Sequence, residues 1–227
     1  MKTTSEQTKP FKTEQAYLLS LIMAASLALG LIGCASAGYQ KGSKTGANIL
    51  DAANRIAAMP ARIDQTVAAL NELVENPQSD LRPQFKAFSA QLADMESDAQ
   101  DIAAARRSMA ANGKEFFAMW DEQLAQIQNE DIKTRSQSRK EEVAQKLQTV
   151  KESYAEAATS FKPFLAELKD VQKALSVDLT AGGVAAMQGT AAKATRDAGP
   201  LKDSAFKLAA EFKTLGLAMS SVTPAAN

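Results

Sequence analysis

The sequence is short of the residues on which most enzyme chemistry depends. It contains no histidine and a single cysteine in 227 residues. Without histidine there can be no His-ligated metal site and no Ser-His or Cys-His catalysis, and a single cysteine cannot form an intramolecular disulfide. We therefore expect a protein that is not an enzyme and that uses no cofactor and no metal ion.

An excess of charge of one sign is also missing. The 26 Lys and Arg residues balance the 26 Asp and Glu residues, which disfavours a strongly basic nucleic-acid-binding protein. Aromatic residues make up only 6% and glycine occurs 11 times, whereas alanine occurs 44 times and hydrophobic residues reach 45%. This composition supplies one packed core and favours long helices over sheets.

The N-terminal segment has the pattern of a targeting sequence. An uncharged stretch runs from Ala16 to Ile32, follows a segment that contains lysines, and leads into Gly33 and Cys34. The stretch Leu31-Ile32-Gly33-Cys34 resembles the lipobox of bacterial lipoproteins. The alternative is an uncleaved membrane helix, because about 17 apolar residues is the lower limit for spanning a bilayer.

The resemblance to lipoproteins implies a fate for Cys34. Its thiol would receive a diacylglycerol with acyl chains such as palmitate, and cleavage would remove residues 1–33 as a signal peptide. Two or three such chains hold a protein on a membrane far more firmly than one chain does. Ala35 is not the aspartate that retains many lipoproteins in the inner membrane. The resemblance therefore implies a protein of the bacterial cell envelope, on the outer membrane and facing the periplasm.

The mature chain divides into a tether, one domain and a short tail. Residues 34–46 contain Gly38, Gly42 and Gly46 among serines and lysines and show no apolar period, so we expect the lipidated cysteine to be followed by a flexible tether. Residues 47–221 form a single helical bundle domain in this interpretation. Residues 222–227 are predicted to be disordered.

Apolar residues recur at alternating spacings of three and four, which predicts helices. The first predicted helix ends before Pro77 and is kinked at Pro60. The second begins near Ser79 or Asp80 and has about fifty residues, and the third contains Pro163 without a break in its apolar seam. The fourth follows residues 178–183. Short connections make successive helices antiparallel neighbours, so the fold class is all-α, an elongated antiparallel bundle of about four long coiled-coil-like helices.

Besides the lipobox and the long coiled-coil body, the sequence contains Phe116-Phe-Ala-Met-Trp120, Arg135 with Arg139, Phe161-Lys-Pro-Phe-Leu165 and Asp178-Leu-Thr180. Together these segments resemble an uncharacterised family of bacterial coiled-coil envelope lipoproteins, a domain-of-unknown-function family. The resemblance implies a lipoprotein with a helical ectodomain. It carries over no activity and no catalytic or binding residue.

Two side-chain groups could carry binding chemistry. The carboxylates of Asp94, Asp98 and Asp101 share one helix face and could hold a hard cation, but such ions prefer six to eight oxygens from a tight loop, so a solvated acidic stripe is favoured. The aromatic residues Phe116, Phe117, Trp120, Phe161 and Phe164 could line a groove for a lipid or a hydrophobic peptide. Their seam spacing favours core packing instead.

A basic cluster lies near the second predicted turn. Its members are Lys133, Arg135, Arg139 and Lys140, and a second helix longer than the first would point this hairpin towards the membrane. Contact of these four residues with anionic head groups is one hypothesis. Because acidic residues flank the cluster, a solvated turn is the favoured alternative.

These patterns predict a role in the envelope and not a reaction. The leading hypothesis is a non-enzymatic lipid-anchored protein that acts as a helical spacer or protein-interaction scaffold. The alternative is a carrier that binds an apolar ligand or lipid within the bundle. The expected partners are the membrane, through the lipid anchor, and an unidentified envelope protein, with no nucleic acid.

Overall fold

The computed structural model describes residues 32–221, and side chains from residue 38 onward. The described residues form five helices: α1 (Ile32–Glu75), α2 (Arg82–Gln126), α3 (Glu130–Val177), α4 (Ala181–Ala186) and α5 (Gln188–Met219). About 92% of these residues are helical and none lies in a strand. The predicted all-α fold is confirmed.

The chain divides into two compact units, Met1–Lys41 and Gly42–Asn227. In the first unit, residues 32–41 are described and belong to α1. The second unit contains the rest of α1 and the four other helices, and it forms the bundle. The predicted signal peptide up to residue 31 and the predicted disordered tail, residues 222–227, lie outside the described residues.

Contacts between the first two helices show an antiparallel pair. Arg55 of α1 lies 3.2 Å from Asp101 of α2, whereas Thr66, further along α1, lies 3.2 Å from the carbonyl oxygen of Gln91, earlier on α2. Residue numbers therefore rise along one helix as they fall along the other. Thr66 is fully buried, so its hydroxyl also fixes the distance between the two backbones.

The other neighbouring helices are antiparallel as well. The side-chain contacts that show this are, for α2 and α3, Trp120 with Ser136 and Glu96 with Lys169; for α3 and α5, Glu156 with Lys207 and Glu167 with Lys193; and for α1 and α5, Asp64 with Lys202 and Asn71 with Thr195. Each long helix thus contacts two others in a closed ring. The up-and-down bundle predicted from the short connections is confirmed.

Local sequence explains where the helices begin. Asn129 precedes α3, and its side-chain oxygen accepts a hydrogen bond from the backbone N–H of Ile132 at 3.1 Å. Thr180 precedes α4 and accepts in the same way from Gly183. Both are residues preferred at helix N-caps, where the first N–H groups have no partner within the helix.

The core follows the predicted apolar seam over most of its length. Ile49, Ile56, Ile63 and Leu70, which repeat every seven residues on α1, are each at most 2% exposed. Helix α3 departs from this pattern in its middle. Its consecutive seam positions Tyr154, Ala157 and Phe161 are only partly buried, although Phe164 and Leu168 beyond them are buried.

The prediction of a flexible tether over residues 34–46 is wrong, because this segment is helical and belongs to α1. Thr45 and Gly46 are buried, and the bundle unit begins at Gly42. Helix α1 consequently has 44 residues and α2 has 45. The difference in length from which the hairpin was predicted to point towards the membrane is absent.

The described residues contain no helix that is both long enough and apolar enough to cross a bilayer.

Candidate functional site

Three of the four long helices contain an internal proline: Pro60 in α1, Pro163 in α3 and Pro200 in α5. Pro163 and Pro200 line one groove of about 260 Å³ between α3 and α5. An internal proline removes a helix hydrogen bond and disfavours a straight helix. Helices with such prolines are poorly suited to continuous close packing.

The bundle interior contains a cavity beside these prolines. Met59 and Ile63, one and three residues from Pro60, line it on α1. Phe161, two residues before Pro163, and Leu201, directly after Pro200, line it on α3 and α5. The cavity measures about 90 Å³. We call this part of the bundle, with its three prolines and the cavity, the proline level.

The lining of the cavity is almost wholly apolar. It comprises Ile56, Met59, Ile63, Ala99, Ile102, Tyr154, Ala157, Ala158, Phe161, Leu201, Ala205 and Leu208. All four long helices contribute, and four of the lining residues are alanines. Small side chains and prolines therefore coincide where the seam of α3 is only partly buried.

A charged residue lies at the edge of the proline level. The guanidinium of Arg106 lies over the ring of Tyr154, 5.5 Å from its centroid. Its Nε is buried and has no hydrogen-bond partner in the described part of the chain. The Oε2 atom of Glu211 on α5 is buried in the same way. Unpaired buried polar atoms carry a desolvation cost, so both positions require an explanation.

The acidic stripe on α2 faces cations of α1 rather than solvent alone. Arg62 contacts both Asp94 and Asp98, at 3.3 and 2.9 Å, and Arg55 contacts Asp101. Arg55 and Arg62 are seven residues apart, which matches the spacing of the aspartates. That spacing was a signal available in the sequence. Among the described residues no group of three potential ligands could hold a metal ion.

The basic cluster at the α2–α3 hairpin is largely paired with carboxylates. Lys133 lies 3.7 Å from Glu130, Lys140 contacts Asp121, and Arg139 contacts Glu142. The hydrogen bond from Arg139 holds the pKa of Glu142 below its ordinary value.

Two residues of the cluster differ in their surroundings. Arg139 also donates a hydrogen bond to the carbonyl oxygen of Ala218, which ties the hairpin to the end of α5. Arg135 is exposed. Ion pairing therefore reduces the field that the cluster could present to a membrane.

The aromatic residues divide between the core and its edge. Phe164 is buried, as predicted, whereas Phe116, Phe117 and Trp120 are partly buried against the core. These three rings contact one another with centroid distances of 5.4 to 6.5 Å, and Trp120 donates a hydrogen bond to Ser136 at 3.0 Å. The set reinforces the junction of α2 and α3.

Three glycines allow close contacts at the end of the bundle where the second unit begins. A Cβ atom on Gly46 would lie 2.8 Å from the carbonyl oxygen of Gly216, and one on Gly216 would lie 2.8 Å from Leu50. A Cβ on Gly42 would lie 2.8 Å from the ring of Phe116. We call Gly42, Gly46 and Gly216 the glycine-packed end.

Sequence reasoning missed this packing. Gly38, Gly42 and Gly46 are spaced by four residues, which places them on one helix face, and this spacing was the available signal. Because all three glycines were interpreted as part of a flexible tether, the close packing was not predicted. A regular spacing of four is a feature of helix packing and not of a linker.

The predicted lipobox is described only in part. Leu31 lies outside the described residues, and Ile32, Gly33 and Cys34 form the start of α1, where only the backbone is described. The predicted role of Cys34 therefore stays a prediction.

No curated protein and no solved structure matches the chain. A family described as a protein of unknown function, DUF2959, matches residues 34–207, which is more than half of the sequence. The chain belongs to the DUF2959 family.

Proposed function

We propose that the protein is a non-enzymatic, lipid-anchored protein of the bacterial cell envelope that acts as a helical spacer or protein-interaction scaffold. The observation that carries this proposal is the ring of contacts between helices. Side-chain ion pairs join α1 to α2, α2 to α3, α3 to α5 and α5 to α1. A spacer must keep its shape, and a closed ring of antiparallel helices resists bending better than two helices would.

The proposed anchor is supported by the sequence. The lipobox places a lone cysteine after an uncharged segment, and the family match begins at Cys34, the residue at which a mature lipoprotein would begin. With two or three acyl chains the attachment would be stable. Ala35 favours the outer membrane, where the bundle would face the periplasm.

One observation favours a second candidate, a carrier for an apolar ligand. The cavity at the proline level is lined by apolar side chains from all four long helices. Its volume of about 90 Å³ is below the roughly 150 Å³ of a cavity that holds benzene. A whole acyl chain would need the bundle to open, so the scaffold is the better supported function.

Fractionation tests the anchor. Cys34→Ser in the full chain should block lipidation and processing, and the matched variant Ser36→Ala should behave as the wild type. We expect the wild type and Ser36→Ala in the membrane fraction as the processed form. If Cys34→Ser is processed and retained in the same way as the wild type, the lipid anchor is wrong.

Cross-linking in intact cells tests the scaffold. A photoactivatable residue is introduced separately at Ile132, Val177 and Phe206, which are 56%, 89% and 57% exposed. The control position is the buried Phe212. A scaffold gives a reproducible adduct with one envelope protein from at least one exposed position and none from the control. Adducts with lipid alone at every exposed position would contradict a protein scaffold.

The hairpin contact with head groups stays a separate prediction, and the ion pairs argue for a weak effect. We compare the wild type with a variant carrying glutamine at Lys133, Arg135, Arg139 and Lys140 for binding to vesicles with anionic lipid. Both proteins begin at Ala35, so that neither a lipid nor the apolar N-terminal segment contributes to binding. Equal and negligible binding is expected at physiological salt. Binding that is lost only in the glutamine variant would establish the contact.

A further inference from the structure

Arg106 is anomalous for a residue on the inner side of a helical bundle. It occupies a seam position of α2, where the flanking positions Ile102 and Met109 are buried and apolar. Its Nε is buried without a hydrogen-bond partner in the described residues, and its guanidinium contacts an aromatic ring. Arg106 as a whole is half-buried, so the cost falls on its Nε–H group, which has lost water without gaining an acceptor among the described residues. An anion bound at the guanidinium would supply that acceptor.

The surroundings of Arg106 connect it to the cavity. Tyr154, over which the guanidinium lies, is one of the lining residues, and so is Ile102, one helical turn before Arg106. Tyr154, Ala158 and Phe161 are only partly buried, so the cavity opens to solvent along α3, and the ring of Tyr154 in this opening contacts Arg106. An apolar compartment thus adjoins a cation and a phenol at its mouth.

We infer that this junction is a binding site for an amphiphile with a single anionic head group. The head group pairs with the guanidinium of Arg106 and the hydroxyl of Tyr154. The apolar end of the ligand enters the cavity at the proline level. This inference rests on the second candidate function, the carrier, and it names the chemistry of its ligand.

The dimensions of the site set the length of the ligand's alkyl chain. At roughly 30 Å³ for each methylene-sized group, the 90 Å³ cavity holds about three. The turn between Ile102 and Arg106 adds about 5.4 Å, which about four more methylene groups span. The site therefore suits a carboxylate of about eight carbons, or the end of a longer chain if the prolines allow the helices to part.

Glu211 carries another polar atom that is buried and unpaired in the described part of the chain, so it is the internal group to test as a partner of Arg106. It lies on α5, one turn beyond the lining residue Leu208, and its Oε2 is buried and unpaired in the described residues. A direct pair of Arg106 with Glu211 would satisfy both groups without a ligand. In that case a ligand would gain nothing from Arg106, so removal of the cation separates the two explanations.

The test uses the full-length protein in isolated membranes. Its probes are an octanoate analogue with a photoactivatable group at the chain end and the methyl ester of the same analogue, which lacks the charge. Labelled residues are identified by mass spectrometry. The proteins are the wild type, Arg106→Gln, Arg106→Lys and Arg107→Gln, the last being a matched change at an exposed neighbour.

We expect the acid to label lining residues such as Met59 and Phe161 in the wild type and in Arg107→Gln. Arg106→Gln should reduce this labelling about tenfold, to the level of the ester, and Arg106→Lys should restore part of it. Thermal unfolding of each purified variant verifies that it folds.

Two results would overturn the inference. Equal labelling by acid and ester, unchanged in Arg106→Gln, would show that Arg106 does not bind the head group, while the carrier function would still stand. If neither probe labels the lining residues of the wild type, both the site and the carrier function are wrong.

Discussion

The contacts of Gly46 with Gly216 and the cavity at the proline level show opposite packing of α1 and α5 within one bundle. At the first, α1 and α5 approach so closely that a methyl group on Gly46 would lie 2.8 Å from a backbone oxygen of Gly216. At the second, the same two helices contain Pro60 and Pro200 and contribute to an interior cavity. Residues usually regarded together as helix breakers therefore have contrary effects here.

The contrast has a physical reason. Glycine inside a helix costs conformational entropy but removes a side chain, so it permits close approach where another backbone is present. Proline also costs helix stability, but its ring occupies space and removes a hydrogen bond. A closely packed region is destabilised both when atoms are added and when atoms are removed, whereas a cavity can accept added atoms. The two regions should consequently respond differently to matched substitutions.

The largest difference is expected from phenylalanine removal. Phe212 is fully buried one turn from Gly216, although its edge borders a groove of about 340 Å³ beside Thr45 and Ile49. Phe161 lines the cavity at the proline level and is only partly buried. Phe212→Ala should cost about 3–5 kcal/mol of unfolding free energy. Phe161→Ala should cost about 2 kcal/mol, since less apolar surface is lost. Denaturant unfolding of both variants measures the difference. Equal losses of unfolding free energy would show that the two regions do not differ in packing.

An added methyl group should change the unfolding free energy in opposite directions at the glycine-packed end and on the open surface. Gly46→Ala should destabilise the bundle by about 1–3 kcal/mol, because a backbone oxygen cannot move aside as a side chain can. Gly189→Ala is the matched control, since no atom lies within 4 Å of its Cβ position. The control should stabilise α5 by about 0.5 kcal/mol. A stabilising Gly46→Ala, measured by the same unfolding method, would show that the close approach is not real.

A larger side chain at the proline level should be tolerated. Ala205 lines the cavity and is buried. Ala205→Val adds atoms that can occupy the cavity, which offsets the lower helix propensity of valine. The net change in unfolding free energy should stay within about 1 kcal/mol. A loss of more than about 2 kcal/mol would mean that the site is already filled.

The smallest effect is expected outside both regions, at the start of α2. Hydrogen bonds from Arg82 lower the pKa of Asp80 from 3.8 to about 2. Because the folded-state pKa is lowered, ionised Asp80 favours the folded protein above its ordinary pKa, and this contribution is lost as pH falls through about 2. Asp80→Asn should therefore lower Tm slightly at about pH 7 and leave it unchanged near pH 2. An equal shift of Tm at both pH values would contradict this assignment.

The sequence was sufficient for the helices and most of the core. Ile49, Ile63 and Phe164 could be placed in the interior because the apolar period depends only on residues close together in the chain. The same reasoning placed Tyr154 and Phe161 in the seam, where the structure leaves them partly buried. The spacing of apolar residues alone does not show where a neighbouring helix lies too far away to bury them.

The candidate site depends on contacts between distant residues. Pro60, Pro163 and Pro200 border one region only because the antiparallel register brings them together, and that register follows from the packing of whole helices. Gly46 likewise meets Gly216, which is far away in the chain. The unpaired Nε of Arg106 could not be predicted either, because it depends on which groups of the other described helices come within hydrogen-bond distance.

The central claim, a helical bundle anchored by lipid at Cys34, is tested most directly by the intact mass of the protein extracted from bacterial membranes. The account predicts a chain that begins at Cys34, lacks residues 1–33 and carries the added mass of a diacylglycerol with its acyl chains. A chain that retains residues 1–33 and an unmodified Cys34 would contradict it.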